Sequence, residues 1–76
     1  MQKQTIKYVS AVDALVAITK RLSSYETRYK IVSEDFFNRY RKGEMEDSTD
    51  FVEWSNAYEH FIQIRQKIER RLQNVA

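Results

Sequence analysis

The sequence of 76 residues contains no cysteine and no proline, and only one glycine and one histidine. Without cysteine there is neither a disulfide nor a thiol nucleophile, and the lone His60 cannot assemble a His/Cys zinc site. A single glycine, Gly43, cannot supply a glycine-rich phosphate loop. The longest strictly apolar run is Ala14 to Ile18, far short of the roughly 20 residues of a membrane span. Lys3 and Lys7 before an apolar stretch have the outline of a secretion signal, but Asp13 interrupts it and no small-x-small cleavage site follows. These absences fit a cytoplasmic chain in a reducing compartment.

Aromatic surface and charge are what the chain does have. Five Tyr, four Phe and one Trp offer more buriable surface than a solvated, disordered tail carries. A chain this short buries only about 60–65 % of the surface its unfolded form exposes, so a monomer is marginal. With no disulfide or zinc to staple it, the composition favours a homodimer or an obligate partner. The net charge of +2 conceals a block pattern. Residues 1–32 carry six basic and two acidic groups, and residues 60–76 carry four basic and one acidic. Between them, residues 43–59 hold Glu44, Glu46, Asp47, Asp50, Glu53 and Glu59 with no base. A simple nucleic-acid binder would not gather its acids in one uninterrupted block.

The pattern reads as one domain of four segments. Residues 1–9 form an extended arm, with strand-like alternation over 4–9. Helix one covers 10–31, opening on Ser10 with Asp13 at capping-box spacing. Its apolar stripe is Ala11, Leu15, Ile18, Leu22, Tyr25, Tyr29 and Val32, a seven-residue repeat. Helix two covers 33–42. Ser33 is its expected N-cap, Glu34 and Asp35 suit its first turn, and Val32 and Phe37 stand as a hydrophobic staple. Gly43 is expected to end it with a positive φ. Helix three covers 48–74, with Asp47, Ser48, Thr49 and Asp50 all able to cap it. Its stripe is Phe51, Trp54, Tyr58, Phe61, Arg65, Ile68, Leu72 and Val75. Arg65 on that stripe either fixes register at a dimer axis or snorkels to solvent, the blander of the two readings.

Two long helices joined by a short one predict an all-α, bent helical hairpin, with Phe36, Phe37, Phe51 and Trp54 clustered at the corner. One hairpin leaves each stripe half covered, and doubling it gives a four-helix-bundle-like assembly. Leu15, Ile18, Leu22, Trp54, Tyr58, Phe61, Ile68 and Leu72 are the expected core and dimer residues.

No enzyme signature appears, and a lone helical His60 is far more often a surface or interface residue than a base. No cofactor or metal is implied. The acidic block lacks the alternating ligands and central glycine of an EF-hand. Its ordinary reading is helix capping and dipole stabilisation, and its sharper one is a partner-binding patch. Arg65, Lys67, Arg70 and Arg71 can touch phosphate, though bases in the last turns of a helix are ordinary dipole chemistry. Tyr25, Tyr29 and Tyr58 carry hydroxyls that need partners when buried, and tyrosine is a residue that interfaces favour.

From Leu22 to Leu72 the chain shows a further pattern. It runs Arg21-Leu22-x-x-Tyr25-Glu26-x-x-Tyr29, Ser33-x-x-Phe36-Phe37-x-x-Tyr40, Gly43-Glu44, Asp47-x-x-Asp50-Phe51-x-Glu53-Trp54 and Tyr58. This pattern, over about two thirds of the chain, resembles small prokaryotic antitoxins of toxin–antitoxin gene pairs, common in cyanobacteria. The resemblance implies a non-enzymatic protein that neutralises a small basic toxin, with an RNA-cleaving one the preferred candidate. Glu44, Glu46, Asp47, Glu59, Tyr25 and Tyr29 are the expected partner-binding residues. The alternatives are a nucleic-acid-associated regulator using the basic helix ends, and a structural dimeric adaptor.

Overall fold

The computed structural model describes residues 10–75 and is built of three helices: α1 (Ala11–Tyr29), α2 (Ser33–Arg41) and α3 (Thr49–Val75). The expected arm over 1–9 lies outside the described residues. Among the described residues there is no strand, and no helix is long and apolar enough to cross a membrane.

Ser10 caps α1, its Oγ accepting the Asp13 amide at 3.2 Å. The helix ends at Tyr29, two residues before its expected end at 31. Lys30 adopts a left-handed conformation (φ 59°, ψ 39°) and its amide closes on the Glu26 carbonyl. The chain then turns, and Val32 leaves the stripe to stand 55 % exposed.

The start of α2 differs from the sequence expectation. Val32, in extended conformation, is the N-cap, and Ser33 is the first helical residue. Ser33 is therefore not a cap: it is buried, and its amide donates to Glu26 Oε2 of α1 at 2.8 Å. With Val32 as N-cap, the staple positions move to Ile31 and Phe36, and Ile31 packs against the core that holds Phe36.

Gly43 ends α2 as expected, with φ 80°. Its amide donates to the Tyr40 carbonyl, and the Glu44 amide reaches the Arg39 carbonyl at 3.0 Å. These are the two bonds of a Schellman motif, which needs a left-handed residue at the turn. Of the four capping candidates for α3, Ser48 does the work, its Oγ accepting the Phe51 amide at 3.2 Å.

Helices α1 and α3 run antiparallel, with Tyr29 beside Asp50 and Tyr25 stacked on Trp54. At about 1.5 Å per residue, the 27 residues of α3 span roughly 40 Å against roughly 28 Å for α1. The corner cluster forms as expected: Phe36 and Trp54 lie face to face at 3.8 Å between centroids, and Phe51 leans on Phe36 at 5.2 Å. Ile18, Leu22, Phe37 and Ala57 complete this buried cluster, against which Leu15, Tyr58 and Phe61 are packed half-buried.

The stripe of α3 departs from its heptad at residue 64. Ile64 is buried, whereas Arg65 is exposed, its guanidinium 5.5 Å from the Phe61 ring centre and 3.8 Å from Glu69. Arg65 thus snorkels over Phe61. Ile68 is half-buried, and Leu72 stands 67 % exposed in the single chain.

Candidate partner-binding surface

The surface of interest is built around the corner. Trp54 has no exposed area, so whatever stacks on it is held by a rigid floor. Tyr25 and Tyr29, one turn apart on α1, both lie nearly flat on the indole, at 5.4 and 5.7 Å between centroids. Stacking fixes their rings and directs their hydroxyls past the indole toward the first turn of α3. There the Tyr25 hydroxyl meets Glu53 Oε1 at 3.4 Å, and the Tyr29 hydroxyl donates to Asp50 Oδ2. Arg28 also reaches Asp50, at 2.9 Å. On the other side of the corner the Tyr40 hydroxyl donates to Asp47 Oδ1 at 2.7 Å.

These contacts have electrostatic consequences. The Tyr29 hydroxyl, seconded by Arg28, holds the Asp50 carboxyl below its ordinary value. Reciprocally, Asp50 and then burial push Tyr29 up, and Asp47 and then burial push Tyr40 up. Tyr58 is also raised, by burial first and then by the charge of Glu34.

The acidic block is therefore sorted into two sets. Asp47, Asp50 and Glu53 are held by tyrosine hydroxyls within the fold. Glu44, Glu46 and Glu59 are exposed. Of the residues expected to bind a partner, Asp47, Tyr25 and Tyr29 thus have internal roles: Asp47 accepts from Tyr40, Tyr25 donates to Glu53 and Tyr29 donates to Asp50. Glu44 and Glu46 flank Met45 on the loop between α2 and α3, and Glu59 stands farther along α3.

Beside that loop is an open groove of about 690 Å³. Ile31, Val32, Met45 and Phe51 give it an apolar lining, and Lys30, Asp35 and Arg39 supply its charges. Sequence reasoning did not find this groove. It depends on the left-handed turn at Lys30, which swings Ile31 and Val32 away from the α1 stripe. Glu26 was also missed as the partner of the α2 N-terminus, although a carboxylate seven residues before a helix start was there to be read.

His60 is exposed and shares a shallow polar groove with Arg21, Glu53 and Asn56. Among the described residues, no three His, Cys, Asp or Glu side chains are grouped so as to hold a metal ion. The chain matches no family model, no curated protein and no solved structure.

Proposed function

We propose that the chain is a non-enzymatic protein–protein interaction module, a homodimer of hairpins that neutralises a small basic protein in the manner of an antitoxin. The observation that supports this reading is the division of the acidic block. Glu44 and Glu46 remain exposed on the loop that walls the apolar groove, while their neighbours Asp47 and Asp50 brace that loop and the start of α3 through Tyr40 and Tyr29. Exposed acids beside an apolar cleft suit a partner that offers an apolar anchor ringed by Lys or Arg. The acids steer encounter, and the groove supplies contact area.

The test is association with the product of a short neighbouring reading frame. The two chains should copurify, and reversal of Glu44, Glu46 and Glu59 to Lys should slow association while far-UV circular dichroism stays unchanged. The wild-type rate should fall as salt rises. A triple variant that associates at the wild-type rate in low salt would remove the acidic surface from recognition.

One observation favours a second reading. Lys67, Arg70 and Arg71 are exposed toward the end of α3, a basic cluster able to contact phosphate. A nucleic-acid role requires duplex or single-strand binding that weakens steeply with salt and is lost on reversing those three bases.

A further inference from the structure

We infer that the last turns of α3 are a docking site for a segment of this same chain: residues 4–9, which lead into α1, lie along α3 with Tyr8 against Ile68 and Leu72. The inference goes beyond the function proposed above and does not depend on it.

The site follows from the register of the hairpin. Tyr29 meets Asp50, Tyr25 meets Trp54, and Ile18 and Arg21 share a shallow groove with Ala57 and His60. Each step back along α1 is therefore a step forward along α3, and Ser10 falls level with residues 68–69. Helix α3 runs on to Val75, so about 10 Å of it extends past the start of α1. The side of α3 that faces α1 stays apolar into this overhang. Ile64, Ile68 and Leu72 follow one another at steps of four, and burial fades along them as α1 runs out: Ile64 is buried, Ile68 half-buried and Leu72 67 % exposed. At the same end Ala11 and Leu15 of α1 are only half-buried. The hairpin is thus closed by α2 at the corner and open at the other end.

The length and composition of the chain before α1 choose the occupant. Nine residues of the sequence precede Ser10, and Ser10 itself is extended (φ −151°, ψ 167°) beside the overhang. At about 3.3 Å per residue, an extended segment places Tyr8 about 7 Å before Ser10, near the level of Leu72, and Ile6 about 13 Å before it, near the end of α3. Alternation puts Ile6 and Tyr8 on one side of such a segment and Thr5 and Lys7 on the other. The two large apolar side chains can therefore face the stripe while the charge stays in water. A segment tethered this close to its site acts at an effective concentration on the order of millimolar, which a second copy at micromolar concentration does not match. The chain's own segment thus takes Leu72 ahead of another molecule.

The absence of cysteine lets single pairs be introduced and read cleanly. Under mild oxidation at micromolar concentration, the full chain carrying Tyr8→Cys and Leu72→Cys should form an intrachain disulfide about tenfold faster than the chain carrying Lys7→Cys and Leu72→Cys. A tether alone brings positions 7 and 8 to Leu72 equally, so the difference in rate reports docking by one side of the segment. In the cysteine-free chain, Tyr8→Asp should lower the hydrogen-exchange protection of the amides of residues 68–74 by about tenfold, with Trp54 fluorescence unchanged. Equal rates for the two cysteine pairs, or protection that Tyr8→Asp leaves unchanged, overturns the docking. A disulfide that forms between two chains, giving a product of twice 9.2 kDa in place of the intrachain one, overturns this chain's own segment as the occupant.

Discussion

Trp54 donates its indole Nε1–H to Ser33 Oγ across 2.9 Å, inside a core where Trp54 has no exposed area and Ser33 almost none. The Ser33 amide meanwhile donates to Glu26. One serine thus joins all three helices: it begins α2, its hydroxyl receives α3, and its amide binds α1. Its hydroxyl is also what allows a tryptophan to be wholly buried here, because an indole N–H enclosed without a partner is costly.

Ser33→Ala should therefore destabilise the fold by about 1–3 kcal/mol, the cost of a buried donor left unpaired. Trp54 is the sole tryptophan, so its fluorescence during urea unfolding reports the change without labelling. A midpoint equal to wild type would mean that the indole finds another acceptor.

Glu26 acts from α1 on the first turn of α2, where a negative charge meets both an orphan amide and the positive end of the helix dipole. Glu26→Ala should cost about 1 kcal/mol, and Glu26→Gln, which keeps an acceptor, less. Hydrogen exchange at the Ser33 amide localises the effect: protection there should fall in Glu26→Ala more than at amides in the middle of α3. Equal loss everywhere would point to general destabilisation.

Much of this fold is legible in the sequence because local rules agree with each other. The seven-residue spacing from Leu15 to Tyr29 gives α1, and the bases before Gly43 give the end of α2. The aromatic spacing through Phe51 and Trp54 places the corner cluster. The heptad fails at Arg65 because its charged end stays in solvent, over the Phe61 ring and near Glu69, and the residue buried at that level is Ile64. Ser33 misleads because a serine before two acids has the form of an N-cap, and only the position of Trp54, 21 residues away, gives its hydroxyl a different partner. The candidate surface was half legible. The acidic block is plain in the composition, but its sorting depends on tyrosines from α1 and α2 that reach it only once the chain has folded.

The two left-handed residues should respond in opposite ways to substitution. Gly43 (φ 80°) has open space where a Cβ would stand, so Gly43→Ala suffers only the backbone penalty, about 1 kcal/mol. Lys30 (φ 59°) already bears such a penalty. Lys30→Gly should relieve it, partly offset by the greater freedom of glycine in the unfolded chain, for a gain of up to about 1 kcal/mol. Thermal melts of both variants check the signs. Destabilisation by Lys30→Gly would show that the lysine side chain contributes contacts worth more than its strained backbone costs.

Acid and base should reach the corner through Asp50 and its tyrosine. The Tyr29 hydroxyl holds Asp50 below the ordinary 3.8, so the folded state favours the carboxylate. That contribution is complete above the ordinary value and disappears as pH falls through the lowered one. Tyr29 is raised above 10.0, so the folded state favours its neutral form. Its contribution is complete below the ordinary value and disappears as pH rises through the raised one. Tyr40 and Tyr58 shift in the same direction and add to that alkaline limb. Between the two limbs this pair adds no slope. Tyr29→Phe removes the principal cause of the Asp50 shift. The difference in urea midpoint between wild type and Tyr29→Phe should then be constant near neutral pH and shrink as the solution is acidified below the ordinary carboxylate range. The Asp50→Asn variant should lose the same acid-dependent part. A wild-type advantage over Tyr29→Phe that persists undiminished in strong acid would show that the tyrosine stabilises the corner by stacking on Trp54 alone, with its hydroxyl indifferent to the charge on Asp50.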